Sequence, residues 1–204
     1  MKPMSDVSSL LRRVAWSNPV ALRLATAAVD TAYVARRLVR GRRTSGVDRS
    51  TGEGDVEPYR LYQSRYASTV GWFAEGAVAT WDALLSFQSE RGQRGDLLEI
   101  GVLRGKSAAM LAVHARADET VALVDPALRQ EAIDLVAEAH PHGNLLLRVR
   151  SQDMARLDAI VQRRGCCRWV HIDGEHSGRA VRSDLAVAAE LVAPDGIICL
   201  DDFF

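Results

Sequence analysis

Beyond Gly95 the chain alternates short apolar runs with amphipathic stretches, and this alternation constrains the fold more than any other feature. The runs over 96–101, 120–125, 144–150, 168–173 and 196–201 read as strands, and the stretches between them as helices beginning near Ser107, Leu128, Ala155 and Arg179. Strands apolar on both faces and separated by helices belong in a parallel sheet covered on both sides by right-handed crossovers. The expected fold is therefore α/β, with a doubly wound, mostly parallel sheet. A chain of 204 residues is long enough to bury such a core with an extension to spare.

Three segments follow from the pattern. Residues 1–43 form an N-terminal extension with helical apolar spacing, restarting at Asn18-Pro19 and ending in Arg36, Arg37, Arg40, Arg42 and Arg43. That arginine cluster is either a solvated helix end or a site of peripheral membrane or partner contact. Residues 44–58 are rich in Gly, Ser, Thr and charge and read as a linker. Residues 59–204 form the compact domain, opening with a helix from Tyr59 to about Arg91 whose Trp72, Phe73, Val78, Trp81, Leu84, Leu85 and Phe87 supply core surface.

Composition narrows the partners. Lys and Arg together number 26, as do Asp and Glu, so no global field favours nucleic acid. Cys166, Cys167 and Cys199 fit neither a disulfide framework nor zinc-ligand spacing, and a reducing cytoplasm is the simplest setting.

In an open parallel sheet, ligands bind beyond the carboxyl ends of the strands, where strand order reverses. The first such loop reads Glu99-Ile-Gly101-Val-Leu-Arg-Gly105-Lys-Ser107. Gly101 and Gly105 allow a sharp turn and close approach of a ligand, and the amides opening the next helix offer donors. A dinucleotide fingerprint requires glycine where Leu103 stands, and a phosphate loop requires one more residue before Gly105-Lys106-Ser107. The pattern that remains resembles motif I of class I S-adenosylmethionine-dependent methyltransferases. Asp125, ending the second strand, has the position and chemistry to accept hydrogen bonds from both ribose hydroxyls of an adenosine. Ser151, Gln152 and Asp153 fall where that family contacts adenine.

Further carboxylates gather at the ends of the fourth and fifth strands, in Val170-His-Ile-Asp173-Gly-Glu-His176 and Gly196-Ile-Ile-Cys-Leu-Asp201-Asp202. Crowded carboxylates repel one another unless a cation or donors compensate them, and oxygen ligands with open positions suit Mg²⁺ or Mn²⁺ rather than zinc. These segments, with the intervening Asp184-Leu185, resemble the metal-dependent macrocin or sugar O-methyltransferases over roughly residues 70–204. The resemblance implies a Rossmann-like fold, S-adenosylmethionine as cofactor, Asp173, Asp201 and Asp202 as metal ligands, and His176 as general base beside Asp173. It also implies methyl transfer to a hydroxyl of a sugar or glycosylated small molecule, where metal coordination acidifies the hydroxyl and a histidine takes its proton. His171, inside the strand, reads as packed or hydrogen-bonded.

Family members carry a helix and two further strands after the fifth, so the expectation is a sheet lacking its last two strands, with an edge prone to homo-oligomerisation. Two other readings stand beside the enzyme. One is a catalytically incomplete methyltransferase-like domain serving as an interaction module. The other is a phosphate-loop nucleotide hydrolase using Gly105-Lys106-Ser107.

Overall fold

The computed structural model describes residues 57–154 and 156–201, all within one compact unit that begins at Gly54. The extension over 1–43, its arginine cluster and Asp202 lie outside the described residues. In chain order the elements are α1 (Pro58–Arg65), α2 (Glu75–Glu90), β1 (Asp96–Ile100), α3 (Lys106–His114), β2 (Val121–Val124) and α4 (Gln130–Ala139). There follow β3 (Asn144–Leu147), α5 (Ser151–Met154), α6 (Asp158–Val161), β4 (Cys167–Ile172), α7 (Gly178–Leu191) and β5 (Val192–Leu200). The strands make one parallel sheet in the order β3-β2-β1-β4-β5, so strand order reverses between β1 and β4. Among the described residues, no helix is long and apolar enough to cross a membrane.

Alternation within the strands fills both faces of the sheet. Leu98, Ile100, Val170 and Ile172 turn to one face, where Val187, Ala188 and Leu191 of α7 cover them. Leu97 and Trp169 turn to the other, against Tyr62, Trp81, Leu85 and Met110 of α1, α2 and α3. Trp81 lies at the centre of this second layer, with its ring 4.7 Å from Phe73 and 4.9 Å from Trp169.

Three local expectations need correction. The helix expected over 59–91 is two helices, because the chain turns after Arg65, with Ala67 and Thr69 amides bonding back to Tyr62 and Tyr66 carbonyls, and restarts only at Glu75. With that break, Trp72 is 62% exposed rather than core, and Phe87 and Leu84 lie on the outer side of α2. The helix expected near Ala155 is replaced by the single turns α5 and α6. β5 begins earlier than the Gly196 expected from sequence, and its register against β4 shifts between Cys167 and Trp169.

At the amino ends of the strands a buried ion pair joins β4 to α2, α3 and the turns that lead into β1 and β2. The Arg168 guanidinium of β4 donates from Nε and NH2 to the two Glu119 oxygens at 2.8 and 2.9 Å, to Gln88 Oε1 at 3.1 Å and to the His114 carbonyl at 2.9 Å. Gln88 Nε2 returns a bond to the Arg168 carbonyl at 2.7 Å. Glu119 also accepts from the Gly95 amide, immediately before β1, at 3.2 Å. Breaking such a pair strands a buried charge, which costs about 3 to 5 kcal/mol. Arg168→Ala is therefore expected to lose stability of that order in urea unfolding, whereas Arg94→Ala, removing an exposed pair with Asp118, loses less than about 1 kcal/mol.

Nearby, burial and the Arg168 charge push His114 down to about 4, so the neutral ring donates Nε2–H to Asp82 Oδ1 at 3.0 Å. A depressed histidine binds fewer protons folded than unfolded. Its contribution, up to about 3 kcal/mol, is complete above the unfolded value near 6.5 and lost as pH falls toward about 4. Urea midpoints measured across that window should fall less steeply with pH in His114→Gln than in the parent chain.

Candidate functional site at the carboxyl ends of the strands

Register alone collects the candidate residues. Ile100 pairs with Val124 on one side and Ile172 on the other, and Ile172 pairs with Leu200. The next residue of each strand is therefore aligned: Gly101, Asp125, Asp173 and Asp201. Strand-end hydrogen bonds continue the alignment, from the Gly101 amide to Val124 O at 2.9 Å, Asp173 to Ile100 O at 2.8 Å and Asp201 to Ile172 O at 3.0 Å. Because side chains alternate, Glu99, His171 with Asp173, and Cys199 with Asp201 share the face that carries Trp81.

The loop from Gly101 to Gly105 is held by the protein itself. Asp125 Oδ2 accepts from the amides of Val102 at 2.9 Å and Leu103 at 3.3 Å, while Oδ1 accepts from Ala127 at 2.7 Å. These bonds support Leu103 at φ 49°, a left-handed conformation that costs a non-glycine residue about 1 kcal/mol or more. At Gly101, φ is 83° and a Cβ would stand 2.1 Å from Asp173 O, so the close approach that glycine permits is to the β4 end. Gly105, at φ 81°, faces Ala132 of α4 at 3.1 Å from an added Cβ. Gly105 precedes α3, whose first turn carries no side-chain cap.

Glu99 is fully buried beneath this loop. Its Oε1 accepts from the Ser107 hydroxyl and lies 2.8 Å from His171 Nδ1, while Oε2 is buried with no hydrogen-bond partner. Burial opposes charge on His171, but the Glu99 hydrogen bond and the Asp173 and Asp201 carboxylates outweigh it and raise the imidazole above its ordinary value. A ring nitrogen of His171 and one oxygen each of Asp173 and Asp201 lie within 4.8 Å of one another.

The remaining candidates spread around this centre. His176 is exposed, just before Ser177, whose hydroxyl caps α7 by accepting from the Ala180 amide at 3.3 Å. Ser151 is buried at the start of α5, and Gln152 and Asp153 beside it are exposed. Asp184, fully buried on α7 under the Asp173-Gly174 turn, is held above the usual carboxylate range chiefly by burial.

Sequence reasoning missed one wall of the cleft beside the loop. Gly71 and Trp72, from the break between α1 and α2, face Leu103, Lys106, Ser107 and Asp173. Lys106 Nζ donates to Gly71 O at 3.4 Å, and burial lowers its pKa. An uninterrupted helix over 59–91 hid this wall, and the Thr69-Val70-Gly71 run, poor in helix formers, was its sequence signal.

Residues 98–203 match a family model described as a methyltransferase domain. A crystal structure of a protein from Corynebacterium glutamicum is similar at 16% identity with a TM-score of 0.50, covering 84% of this chain and 74% of that one; it supports the fold alone. No curated protein matches. The closeness of Gly101 to Asp173 gives a direct test of the packed loop. Gly101→Ala should cost about 2 kcal/mol or more, seen as a lowered thermal midpoint, whereas Gly92→Ala, also left-handed but in open space, should cost less.

Proposed function

This chain belongs to the methyltransferase-domain family, and on that premise we propose that it carries a methyl group from S-adenosylmethionine to a hydroxyl oxygen of a sugar or glycosylated small molecule in the cytoplasm, assisted by Mg²⁺ or Mn²⁺. The observation that carries this reading is the strand-end line of Asp125, Asp173 and Asp201 beside the buried Glu99, at the point where strand order reverses.

The residues present fit the cofactor. Glu99 Oε2 is a buried acceptor without a partner, suited to an ammonium such as that of the methionine moiety. The uncapped first turn of α3 offers amides to a carboxylate. Asp125 uses its carboxylate on three loop amides, yet a carboxylate has about four acceptor positions, which leaves capacity for a ribose hydroxyl. Its role then joins two functions, shaping the loop and meeting the nucleoside. Ser151, Gln152 and Asp153, at the end of β3, are the adenine-side residues of this reading.

A divalent ion supplies acidification and orientation of the acceptor hydroxyl when bound. Asp173 and Asp201 would hold it, with Asp202, next to Asp201 in sequence, as the third carboxylate of this reading. His176 would take the hydroxyl proton as the methyl group passes from sulfur to oxygen, with S-adenosylhomocysteine as the other product. The chain's remaining task is alignment of oxygen, methyl carbon and sulfur, which Glu99 and the loop perform by fixing the donor.

Calorimetric titration with S-adenosylhomocysteine, with and without Mg²⁺, tests the reading. Saturable binding to the parent chain is expected, weakened about tenfold or more by Asp125→Ala, a loss of about 1.4 kcal/mol. Absence of binding in both conditions would overturn it.

A further inference from the structure

We propose that His171 is a nitrogen ligand of the metal site, presented through Nε2 by Glu99, and that the site therefore selects Mn²⁺ over Mg²⁺. This rests on the metal-assisted reading above, adds a nitrogen to its ligand set and narrows its ion.

The geometry is that of a carboxylate-oriented metal histidine. Metal-binding imidazoles commonly donate their second N–H to a carboxylate, which fixes the tautomer and makes the ligating nitrogen more basic. Here Nδ1 is committed to Glu99 Oε1 at 2.8 Å, so Nε2 is the nitrogen left to ligate. Glu99 is itself held by the Ser107 hydroxyl. The His171 ring is 2% exposed and stands at 83° to Trp81, with centroids 4.6 Å apart, so it is fixed before any ion arrives.

The donor set follows from the sheet. His171 and Asp173 alternate on β4, and Asp201 follows β5 on the same face, which brings one nitrogen and two oxygens within 4.8 Å. Donors around an ion of this size sit roughly 3 to 4 Å apart, so small side-chain adjustments close the site. Mg²⁺ demands near-ideal octahedral oxygen coordination and sheds water reluctantly, whereas a mixed imidazole and carboxylate set with open positions suits a first-row transition ion. The competing account is that the imidazole only neutralises Glu99 and never meets a metal.

Pulsed electron paramagnetic resonance of Mn²⁺ added to the full chain separates the two. The proposal expects a ¹⁴N coupling that changes to the ¹⁵N pattern when histidine is ¹⁵N-labelled, that persists in His176→Gln, and that disappears in His171→Asn. Calorimetry should show Mn²⁺ binding at least about tenfold tighter than Mg²⁺ in the parent chain, with the preference reduced below about threefold in His171→Asn. Mn²⁺ binding that requires Asp173 but shows no histidine coupling overturns this inference and leaves the metal-assisted reading standing. Absence of Mn²⁺ and Mg²⁺ binding, or binding unchanged by Asp173→Asn, overturns both. The spectroscopic arm uses the unaltered chain, so it decides the matter even where His171→Asn does not fold.

Discussion

Everything at the carboxyl edge of this sheet depends on a constraint at the opposite edge, the buried pair of Arg168 and Glu119. Arg168 is fully buried, and its bonds reach α2 through Gln88, the end of α3 through the His114 carbonyl, and the approach to β2 through Glu119. Glu119 ties in the residue before β1. Hydrophobic burial alone would let apolar strands slide, since Leu, Val and Ile on neighbouring strands are nearly interchangeable. A guanidinium that finds its acceptors in one arrangement penalises each slipped register by an unpaired buried charge.

That penalty is what the candidate site requires. A one-residue slip of β4 against β1 would turn His171 and Asp173 to the α7 face and carry Glu99 away from His171. The candidate site is therefore a consequence of register, and register is reinforced at the far end by a buried polar cluster. Its polar residues do not stabilise the fold comparably: Glu99 keeps a buried oxygen unpaired and Leu103 occupies a left-handed conformation. Features that cost stability and gather in one place set this edge apart from the core and make it the candidate for ligand binding.

The sequence made the sheet legible because its strands are apolar runs with abrupt polar ends, and those ends are Gly101, Asp125, Asp173 and Asp201. Which side chains meet was less legible. Leu97 and Leu98 look alike in a run, yet they face different layers, and only pairing to Trp169 and Val170 distinguishes them. Arg168 and Glu119 lie in or beside strands as isolated charges that no short-range rule joins. The break at Thr69-Val70-Gly71 is masked in the sequence because apolar residues on both sides keep a helical period, although the two helices they form are separate. His171 was visible as the polar member of an alternating strand, and its i,i+2 relation to Asp173 was the available clue; its partner Glu99 required the strand order.

The Asp125 carboxylate shows why such a site resists assignment by residue type. As a cap for the Asp125-Pro126 turn, and as an acceptor for a ligand hydroxyl, the same residue would stand at the same position, and the structure shows it pinning Val102, Leu103 and Ala127. The two roles are linked physically. Amides drawn toward one carboxylate fix the loop over Glu99, so a nucleoside that approaches Asp125 meets a surface already shaped, without the entropy cost of ordering five loop residues. A residue that only capped the turn would hold the loop equally well from outside the cleft; placing the cap at the end of β2, in line with Gly101 and Asp173, puts the acceptor one strand from the β1–β4 reversal, across the Gly101–Gly105 loop.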